Sequence, residues 1–346
     1  MCCIVPCGDY ELEGGPPKRQ PPSENYSAQA TTGTGKSSPP VRVDAPVTPP
    51  PTASSPGMPQ AGIPALPLDA PGWLTASSRG CSASEATEKP CPMRLLFYGY
   101  VDKQPKSAFA VVDSEGISRT TDAAFLRAGG DISHDGKYVS FDNCSSPNRG
   151  IYVSRLDGSN VRMVTPLDSL VCVSTRWSPD DKKISFTTDD FLHVVFIKGG
   201  RDLPLTRTYL ASGFHSWSPK GDEIVYERGR AGSRLLYTVD MGGDIKAVTS
   251  TKDLGNCESW APDWSPDGRR IAFTSCDKRL FTVRPDGADL RQVGSSAYSP
   301  RWSTDGQWIL FLSGPTLMRV RSDGELLTTI GILPYWGGPF SLGVVR

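Results

Sequence analysis

Residues 264–273 read WSPDGRRIAF, and variants of this stretch recur along the C-terminal part of the chain. Its Asp-Gly pair supplies the positive φ angles of a tight hairpin turn. The Ile-x-Phe that follows alternates with the period of a half-buried strand. A third strand-like run, a second turn and a fourth strand come next, so each copy encodes four strands in about 40 residues. The other copies are WSPDDKKISF (177–186), WSPKGDEIVY (217–226), WSTDGQWILF (302–311) and the degenerate ISHDGKYVSF (132–141).

A repeat of this length with four strands is the blade of a β-propeller. Five copies are complete, and residues 94–120 resemble the later strands of a sixth blade that lacks its first strand. Residues 333–340 resemble that missing first strand, and pairing residues 94–120 with residues 333–346 would close the ring and remove its exposed sheet edges. The sequence therefore predicts an all-β, six-bladed propeller of four-stranded blades over residues 93–346. Seven blades is the alternative, which requires a cryptic blade before residue 93.

Residues 1–92 differ in composition from the rest of the chain. They hold more than half of the 31 prolines, interspersed with Ser, Thr, Ala and Gly, and show no apolar periodicity. Such a segment buries too little surface to offset the entropy of ordering it, so it is predicted to be a disordered tail or spacer. The run GTGKS (33–37) has Ala30 where a phosphate-binding loop needs glycine, so no nucleotide or other cofactor is predicted.

The charge balance excludes some classes of partner. The chain has 37 basic and 37 acidic side chains, so no long-range field gathers nucleic acid. No stretch approaches the roughly 18 apolar residues of a membrane helix. The first residues also lack the basic and apolar regions of a secretory leader. Either the protein is cytoplasmic, or a leader is missing from the start of this sequence.

The repeats resemble those of the TolB-like β-propeller family, whose hallmark is Trp-Ser-Pro-Asp-Gly followed by basic-x-Ile-x-Phe. The resemblance covers residues 93–346 and none of the tail. It implies a WD40-like repeat fold that serves in periplasmic proteins binding envelope partners, in the regulatory propellers of serine peptidases and in a few metal-containing polysaccharide lyases. A propeller fold alone does not select among these roles.

The sequence lacks the motifs expected of a serine peptidase or of a metal-containing lyase. No Gly-x-Ser-x-Gly elbow is present. The three histidines, His134, His193 and His215, form no His-Glu-x-x-His pattern, and His134 falls in a hairpin turn away from the expected channel mouth. We therefore expect a non-catalytic, metal-free, monomeric propeller of the bacterial cell envelope that binds a protein or peptide. The alternatives are a hydrolase or lyase acting in the channel, and a carbohydrate-binding envelope protein.

Four of the nine cysteines lie in the repeat region, at two phases of the repeat. Cys144 and Cys276 follow the Ile-x-Phe strand, whereas Cys172 and Cys257 precede an innermost strand. Both loop types open on one face of a blade, so we predict that Cys257 pairs with Cys276 and Cys144 with Cys172. The alternative is four buried thiols. Disulfides indicate an oxidising compartment, which favours a periplasmic or extracellular protein. A leader missing from this sequence could also anchor the protein to the membrane.

Candidate binding residues fall into two groups. The first residue of each copy, a Trp in four of them, is called the anchor of its blade below. One group of candidates directly precedes each anchor, on the innermost strand that lines the channel. These residues form either a polar mouth that binds a ligand or a set of charges that neutralise each other across the channel. The members of this group are Asp131, Arg176, Ser216, Asp263, Arg301 and Tyr335. The second group lies on loops at the face that carries the cysteines, and forms either a partner site with an aromatic anchor or ordinary loop packing. Its members are Glu258, Trp260, Tyr209, Phe214 and His215.

Overall fold

The computed structural model describes the backbone over ten segments of the chain. They are residues 93–101, 104–113, 116–122, 130–143, 147–168, 174–188, 191–207, 213–230, 232–332 and 343–344. The tail predicted for residues 1–92 and the first strand predicted near 333–340 lie outside these segments. Within them, no helix has the length and apolar character needed to cross a bilayer.

Three strands at the start of the described residues pair antiparallel in chain order. They are β1 (Met93–Val101), β2 (Gln104–Asp113) and β3 (Gly116–Asp122).

Five four-stranded antiparallel blades follow, each with its strands in chain order. Blade 1 contains β4 (Gly130–Ile132), β5 (Tyr138–Asn143), β6 (Gly150–Arg155) and β7 (Arg162–Pro166). Blade 2 contains β8 (Thr175–Trp177), β9 (Lys183–Thr187), β10 (Phe191–Phe196) and β11 (Asp202–Arg207). Blade 3 contains β12 (His215–Trp217), β13 (Glu223–Arg228), β14 (Leu235–Asp240) and β15 (Ile245–Ala247).

The last two complete blades have the same order. Blade 4 contains β16 (Ser259–Trp264), β17 (Ile271–Ser275), β18 (Leu280–Val283) and β19 (Arg291–Gly294). Blade 5 contains β20 (Tyr298–Trp302), β21 (Trp308–Ser313), β22 (Thr316–Arg321) and β23 (Thr328–Ile332). The prediction of an all-β propeller with four-stranded blades is confirmed.

The end of the chain returns to its first described strand. β24 (Gly343–Val344) pairs antiparallel with β1, with Leu95 opposite Val344 and Leu96 opposite Gly343. The resulting sheet has the order β24-β1-β2-β3 and is called the terminal sheet below.

The core of the propeller lies between blades. Trp177 of blade 2 packs with Ile184 and Phe186 of its own blade and with Ile151 and Val153 of blade 1. The Trp anchors of blades 3, 4 and 5 repeat this arrangement, each against the preceding blade. Burial of such side chains contributes about 1.5–3 kcal/mol each, so the anchor of every blade stabilises two blades.

The hairpin after each anchor is held by the serine of the repeat. In blade 4 the Ser265 hydroxyl donates to Asp267 at 2.6 Å and accepts the backbone N–H of Arg270 at 2.9 Å. Gly268 has φ +75°, which explains the glycine of the motif. Blade 3 has lysine at the aspartate position, and there Ser218 donates instead to Asp222 at 2.7 Å.

One repeat replaces the turn glycine with Asp181, which adopts the left-handed φ of +54°. Its carboxylate accepts the backbone N–H of His134 at 2.7 Å and that of Asp135 at 2.8 Å, both in the turn of blade 1. The strain that aspartate accepts at this position is therefore offset by hydrogen bonds to the neighbouring blade.

Restoring the repeat glycine at position 181 should therefore destabilise the protein. We expect Asp181→Gly to lower the free energy of unfolding by about 1 kcal/mol, because the two lost charge-assisted bonds outweigh the relief of strain. Urea unfolding measures it. The matched control is Asn160→Gly, at an exposed left-handed residue (φ 56°), which should be neutral or stabilising. Equal effects at both positions would contradict the inter-blade role of Asp181.

Candidate functional site

The residues that precede each anchor converge on one cavity at the hairpin end of the channel. Five innermost strands contribute one each, namely Asp131, Arg176, Ser216, Asp263 and Arg301. The cavity has a volume of about 100 Å³ and is also lined by the anchor side chains and by proline rings of the hairpins. This is smaller than the roughly 300 Å³ at which drug-sized ligand sites begin. Tyr335, the sixth predicted member, lies outside the described residues.

Two of these residues link neighbouring blades through the same pair of hydrogen bonds. The Asp131 carboxylate accepts the backbone N–H of Trp177 at 2.7 Å, and its carbonyl accepts the Trp177 indole N–H at 2.9 Å. Asp263 accepts the backbone N–H of Trp302 at 2.7 Å and the indole N–H at 3.1 Å. Each aspartate therefore satisfies a backbone donor on the channel side of the next innermost strand.

Ser216 makes the corresponding link in the middle of the series. Its hydroxyl accepts the backbone N–H of Trp264 at 3.1 Å and donates to Asp263 at 3.2 Å. Burial raises the pKa of Asp263, against the opposing influence of the nearby Arg301 and the Trp302 backbone N–H.

The two arginines of the group have the same surroundings. Arg176 donates to the carbonyl of Thr175 at 3.1 Å, and Arg301 donates to that of Pro300 at 3.0 Å. Both guanidinium groups are almost completely buried. Burial, together with the positive charge of Arg176, lowers the pKa of Arg301 to about 10, so Arg301 remains charged at neutral pH.

His215 is not a loop residue, as the sequence analysis expected, but begins strand β12 and is completely buried. Its Nδ1 lies 2.8 Å from the carbonyl of Gly213, and its Nε2 lies 2.8 Å from the Ser185 hydroxyl of blade 2. A carbonyl only accepts, so Nδ1 carries the proton and Nε2 accepts from serine. Burial, with the positive charge of Arg176, lowers the pKa of His215 to about 3, so the ring is neutral.

The loop end of blade 4 presents Trp260 beneath a cation. Trp260 is half-buried, and the Arg234 guanidinium lies 5.4 Å from its ring centre. Glu258 accepts the backbone N–H of Arg234 at 3.1 Å and lies 3.8 Å from its guanidinium. A β-bulge after Trp260, with Ala261 at φ +51°, turns this side chain out of the regular register.

Blade 5 repeats this arrangement at the same distance from its own anchor. Tyr298 is exposed, Lys278 lies 5.4 Å from its ring centre, and a bulge follows with Ser299 at φ +49°. The residues Arg234, Glu258, Trp260, Lys278 and Tyr298 are called the loop-end patch below. Sequence reasoning missed Arg234, Lys278 and Tyr298, although Tyr298 precedes Trp302 by the same four residues that separate Trp260 from Trp264.

Phe214 and Tyr209 complete the predicted loop group. Phe214 is half-buried, and its carbonyl accepts the backbone N–H of Glu227 at 3.3 Å. Tyr209 lies outside the described residues. His134, expected to lie away from the channel mouth, instead lines the hairpin-end cavity, because the hairpins themselves surround that end of the channel. Among the described residues, no three side chains of metal-ligating type come together.

A disulfide joins Cys257 to Cys276 within blade 4, with the two Cα atoms 5.3 Å apart. It connects the segment directly before β16, which carries Glu258, to the loop that carries Lys278. The backbone N–H of Cys276 also donates to the carbonyl of Glu258 at 3.1 Å. Cys144 and Cys172 lie outside the described residues, so their pairing stays a prediction.

Comparisons with known proteins agree with this geometry. No family model matches the chain. An uncharacterised protein of Agrobacterium fabrum is 31% identical over 121 residues, 33% of this chain and 40% of that protein. A TolB homologue of Chlorobium chlorochromatii is 28% identical over 151 residues, 40% of this chain and 31% of that protein. The chain thus spans less than half the length of the two curated relatives.

The fold itself is shared with a solved structure. TolB from Acinetobacter baumannii superposes with a TM-score of 0.60 at 16% identity, over 72% of this chain and 66% of that one. The four-stranded blades and the narrow, polar channel define the class as a β-propeller. Together with the repeat sequence, the TolB homologue and the shared fold support a TolB-like β-propeller.

The buried His215 should make stability depend on pH. Its pKa is lowered on folding, so the neutral ring stabilises the fold above the unfolded value of about 6.5, and this contribution is lost as pH falls. We expect the free energy of unfolding to fall by about 1.4 kcal/mol per pH unit more in the wild type than in His215→Gln between about pH 6 and 4. Parallel pH profiles of the two proteins would show that His215 is not buried in the neutral form.

The Cys257–Cys276 disulfide should stabilise the propeller. In the chain-entropy account, closing a loop of this size contributes about 3 kcal/mol, so Cys257→Ser combined with Cys276→Ser should lower the free energy of unfolding by that amount. Reductant should have a similar effect on the wild type. Reductant added to the double variant is the control, and any further loss there would report a second disulfide such as Cys144–Cys172. An unchanged unfolding midpoint would contradict the prediction.

Proposed function

We propose that this chain is a non-catalytic, protein- or peptide-binding β-propeller of the bacterial cell envelope, and that its partner docks on the loop-end patch. The observation that carries the proposal is that adjacent blades repeat one arrangement, an aromatic side chain that lies beneath a cation and is followed by a β-bulge. Trp260 and Tyr298 stand at the same offset from their anchors, each turned outward by a bulge and each beneath a cation. Tryptophan, tyrosine and arginine are the residues that dominate binding energy at protein interfaces.

The patch is held in one conformation before any partner arrives. The disulfide fixes Cys257 to Cys276, and the N–H of Ala261 donates to the buried carboxylate of Glu227. Side chains that are already ordered lose little entropy on binding, so a fixed aromatic pair favours affinity. The fixed backbone therefore favours a binding role for the patch over ordinary loop packing.

The hairpin-end cavity supports a non-catalytic role. Its carboxylates, Asp131 and Asp263, accept backbone N–H groups of the next blade and so hold the ring together. The nearby His215 is neutral, and both of its ring nitrogens have partners. General acid–base catalysis requires a group within reach of a substrate proton, and both carboxylates are instead directed to backbone N–H groups in the wall of the channel.

The ring is proposed to have six blades, with the terminal sheet as the sixth. The sheet has four strands, and its innermost strand β24 comes from the C-terminal end of the chain while β1–β3 come from the start of the repeat region. Leu96 of β1 packs in one cluster with Ile132 and Val139 of blade 1. Closure of this kind removes two exposed sheet edges, and residues 93–346 would then form one domain.

The disulfide and the similar proteins support a periplasmic or extracellular location. A stabilising disulfide persists in an oxidising compartment, and the similar proteins with a named role are TolB proteins. Comparing the oxidation state of Cys257 and Cys276 in fractionated cells would distinguish this location from the cytoplasm.

Partner capture tests the patch directly. The full chain, tagged and folded, is used to capture proteins from an envelope extract, and the captured partner is then titrated against variants. We expect Trp260→Ala and Tyr298→Ala each to weaken binding by about 30-fold or more, the loss expected of interface anchors.

The matched control is Trp308→Ala. Trp308 is also half-buried beneath an arginine, with Arg319 at 4.6 Å, but it begins β21 at the hairpin end of blade 5. It should leave binding unchanged. Equal binding by wild type and folded Trp260→Ala would overturn the assignment of the patch.

A further inference from the structure

The loops at the loop end of blades 3, 4 and 5 carry more positive than negative charge, although the whole chain has 37 basic and 37 acidic side chains. Their described residues are 228–230, 232–234, 249–259, 276–279, 295–298 and 313–316. Six basic side chains lie in these ranges, namely Arg228, Arg230, Arg234, Lys252, Lys278 and Arg279. Three acidic side chains lie there, namely Asp253, Glu258 and Asp277, so an excess of positive charge surrounds the loop-end patch.

Four of these basic side chains lie over the faces of aromatic rings. The pairs, with the distance from the cation to the ring centre, are Arg228 and Tyr237 at 5.1 Å, Arg234 and Trp260 at 5.4 Å, Lys278 and Tyr298 at 5.4 Å, and Arg279 and Phe281 at 5.0 Å. An aromatic ring attracts a cation through its quadrupole but has no net charge, so the positive charge of each pair remains. Cations that are already held in place lose little side-chain entropy when an anionic partner binds.

The carboxylates of these loops balance part of the positive charge. Asp277 accepts the Nε–H of Arg279 at 2.6 Å, and Glu258 lies 3.8 Å from the Arg234 guanidinium. Lys278 is exposed to solvent and lies over a tyrosine ring instead. The ion pairs therefore leave this end of the propeller positive, with exposed cations beside the aromatic side chains of the patch.

We propose that the partner of the loop-end patch presents an acidic segment of protein, whose carboxylates pair with Arg228 and Lys278. Apolar side chains of the same segment pack on Trp260 and Tyr298. The inference rests on the proposed function and specifies the chemistry of its partner. Complementary charge steers a partner to a surface and selects among partners. A nucleic acid or an anionic lipid surface presents continuous negative charge, which carboxylates such as Glu258 among the cations disfavour.

Three short peptides test the charge preference of the full chain by isothermal titration calorimetry at low ionic strength. They are N-acetylated and amidated, with the sequences Glu-Tyr-Glu-Leu-Glu, Gln-Tyr-Gln-Leu-Gln and Lys-Tyr-Lys-Leu-Lys. We expect the Glu peptide to bind about tenfold more tightly than the Gln peptide, because each exposed ion pair contributes a factor of about two to five. Added salt should reduce this difference, and the Lys peptide should not bind. Equal affinities of the Glu and Gln peptides would overturn the proposal.

Charge-reversal variants test whether the peptide binds at the patch. Lys278→Glu should weaken binding of the Glu peptide by about tenfold and allow the Lys peptide to bind, and Arg228→Glu should act in the same direction. Lys278→Arg keeps the charge and should bind as the wild type does.

The matched control is Arg269→Glu, which makes the same charge change at a hairpin-end arginine whose side chain is 85% exposed. It should leave the affinity for all three peptides unchanged. Equal effects of Lys278→Glu and Arg269→Glu would show that only the net charge of the chain matters, which would contradict the assignment. If Arg228→Glu fails to fold, the exposed Lys278 decides.

The captured envelope partner separates this inference from the proposed function. A partner whose binding is lost in Trp260→Ala and weakened about tenfold in Lys278→Glu would support both. A partner whose binding is lost in Trp260→Ala but unchanged in Lys278→Glu and Arg228→Glu would support the patch and refute its acidic partner.

Vesicles of phosphatidylglycerol test a lipid surface as the source of the negative charge, with phosphatidylcholine vesicles as the control. We expect the full chain to sediment with neither. Sedimentation with phosphatidylglycerol alone that Lys278→Glu abolishes would replace the acidic protein segment with a membrane surface and so refute the proposal.

Discussion

The ring depends on hydrogen bonds that satisfy the channel-facing backbone of the innermost strands. Strands β4, β8 and β12 have only three residues each, and one edge of every innermost strand has no neighbouring strand within its blade. A backbone N–H on that edge requires a partner, since an unsatisfied buried donor is costly. The residue before the preceding anchor supplies it, as Asp131 does for Trp177 and Asp263 does for Trp302. The same short strands therefore build both the blade and its joint with the next one.

This constraint divides the channel residues between two tasks. Asp131, Ser216 and Asp263 hold neighbouring blades together, so their charge and hydroxyl groups are directed into the wall of the channel. Arg176 and Arg301 occupy the same position of the repeat but have no carboxyl or hydroxyl with which to accept a Trp N–H. They bring positive charge to the cavity instead. A repeated position can thus join neighbouring blades in some blades and place a buried positive charge in others.

The fold could be predicted from the sequence because its signals are local. The Ser-x-Asp-Gly turn and the Ile-x-Phe strand that follows it lie within ten residues, so the blade and its phase could be inferred without knowing any long-range contact. The blade contacts themselves span 46 residues in the case of Asp131 and Trp177, and the sequence predicted only that these positions face the channel. His215 was misplaced for the same reason. Its side-chain partner Ser185 is in the preceding blade, and its backbone pairs with Tyr226 as the first residue of the strand. The equivalent pair in the preceding blades, Thr175 with Ser140, is the signal that was available in the repeat.

The repeat constrains the residues at the two ends of the channel to different extents. At the hairpin end each blade presents nearly the same turn, so the residues there are constrained by folding and differ mainly at single positions such as Asp181 and the two arginines. At the loop end the repeat imposes no sequence, and blades 4 and 5 depart from regular geometry with bulges at Ala261 and Ser299. Positive φ angles at non-glycine residues are unfavourable, and here they directly follow Trp260, which is half-buried, and Tyr298, which is exposed. The strain is tolerated because the disulfide and the Glu227 carboxylate fix the backbone of blade 4. Blades 1–3 pair their two innermost strands without such a bulge, so the packing of a blade does not itself require this departure.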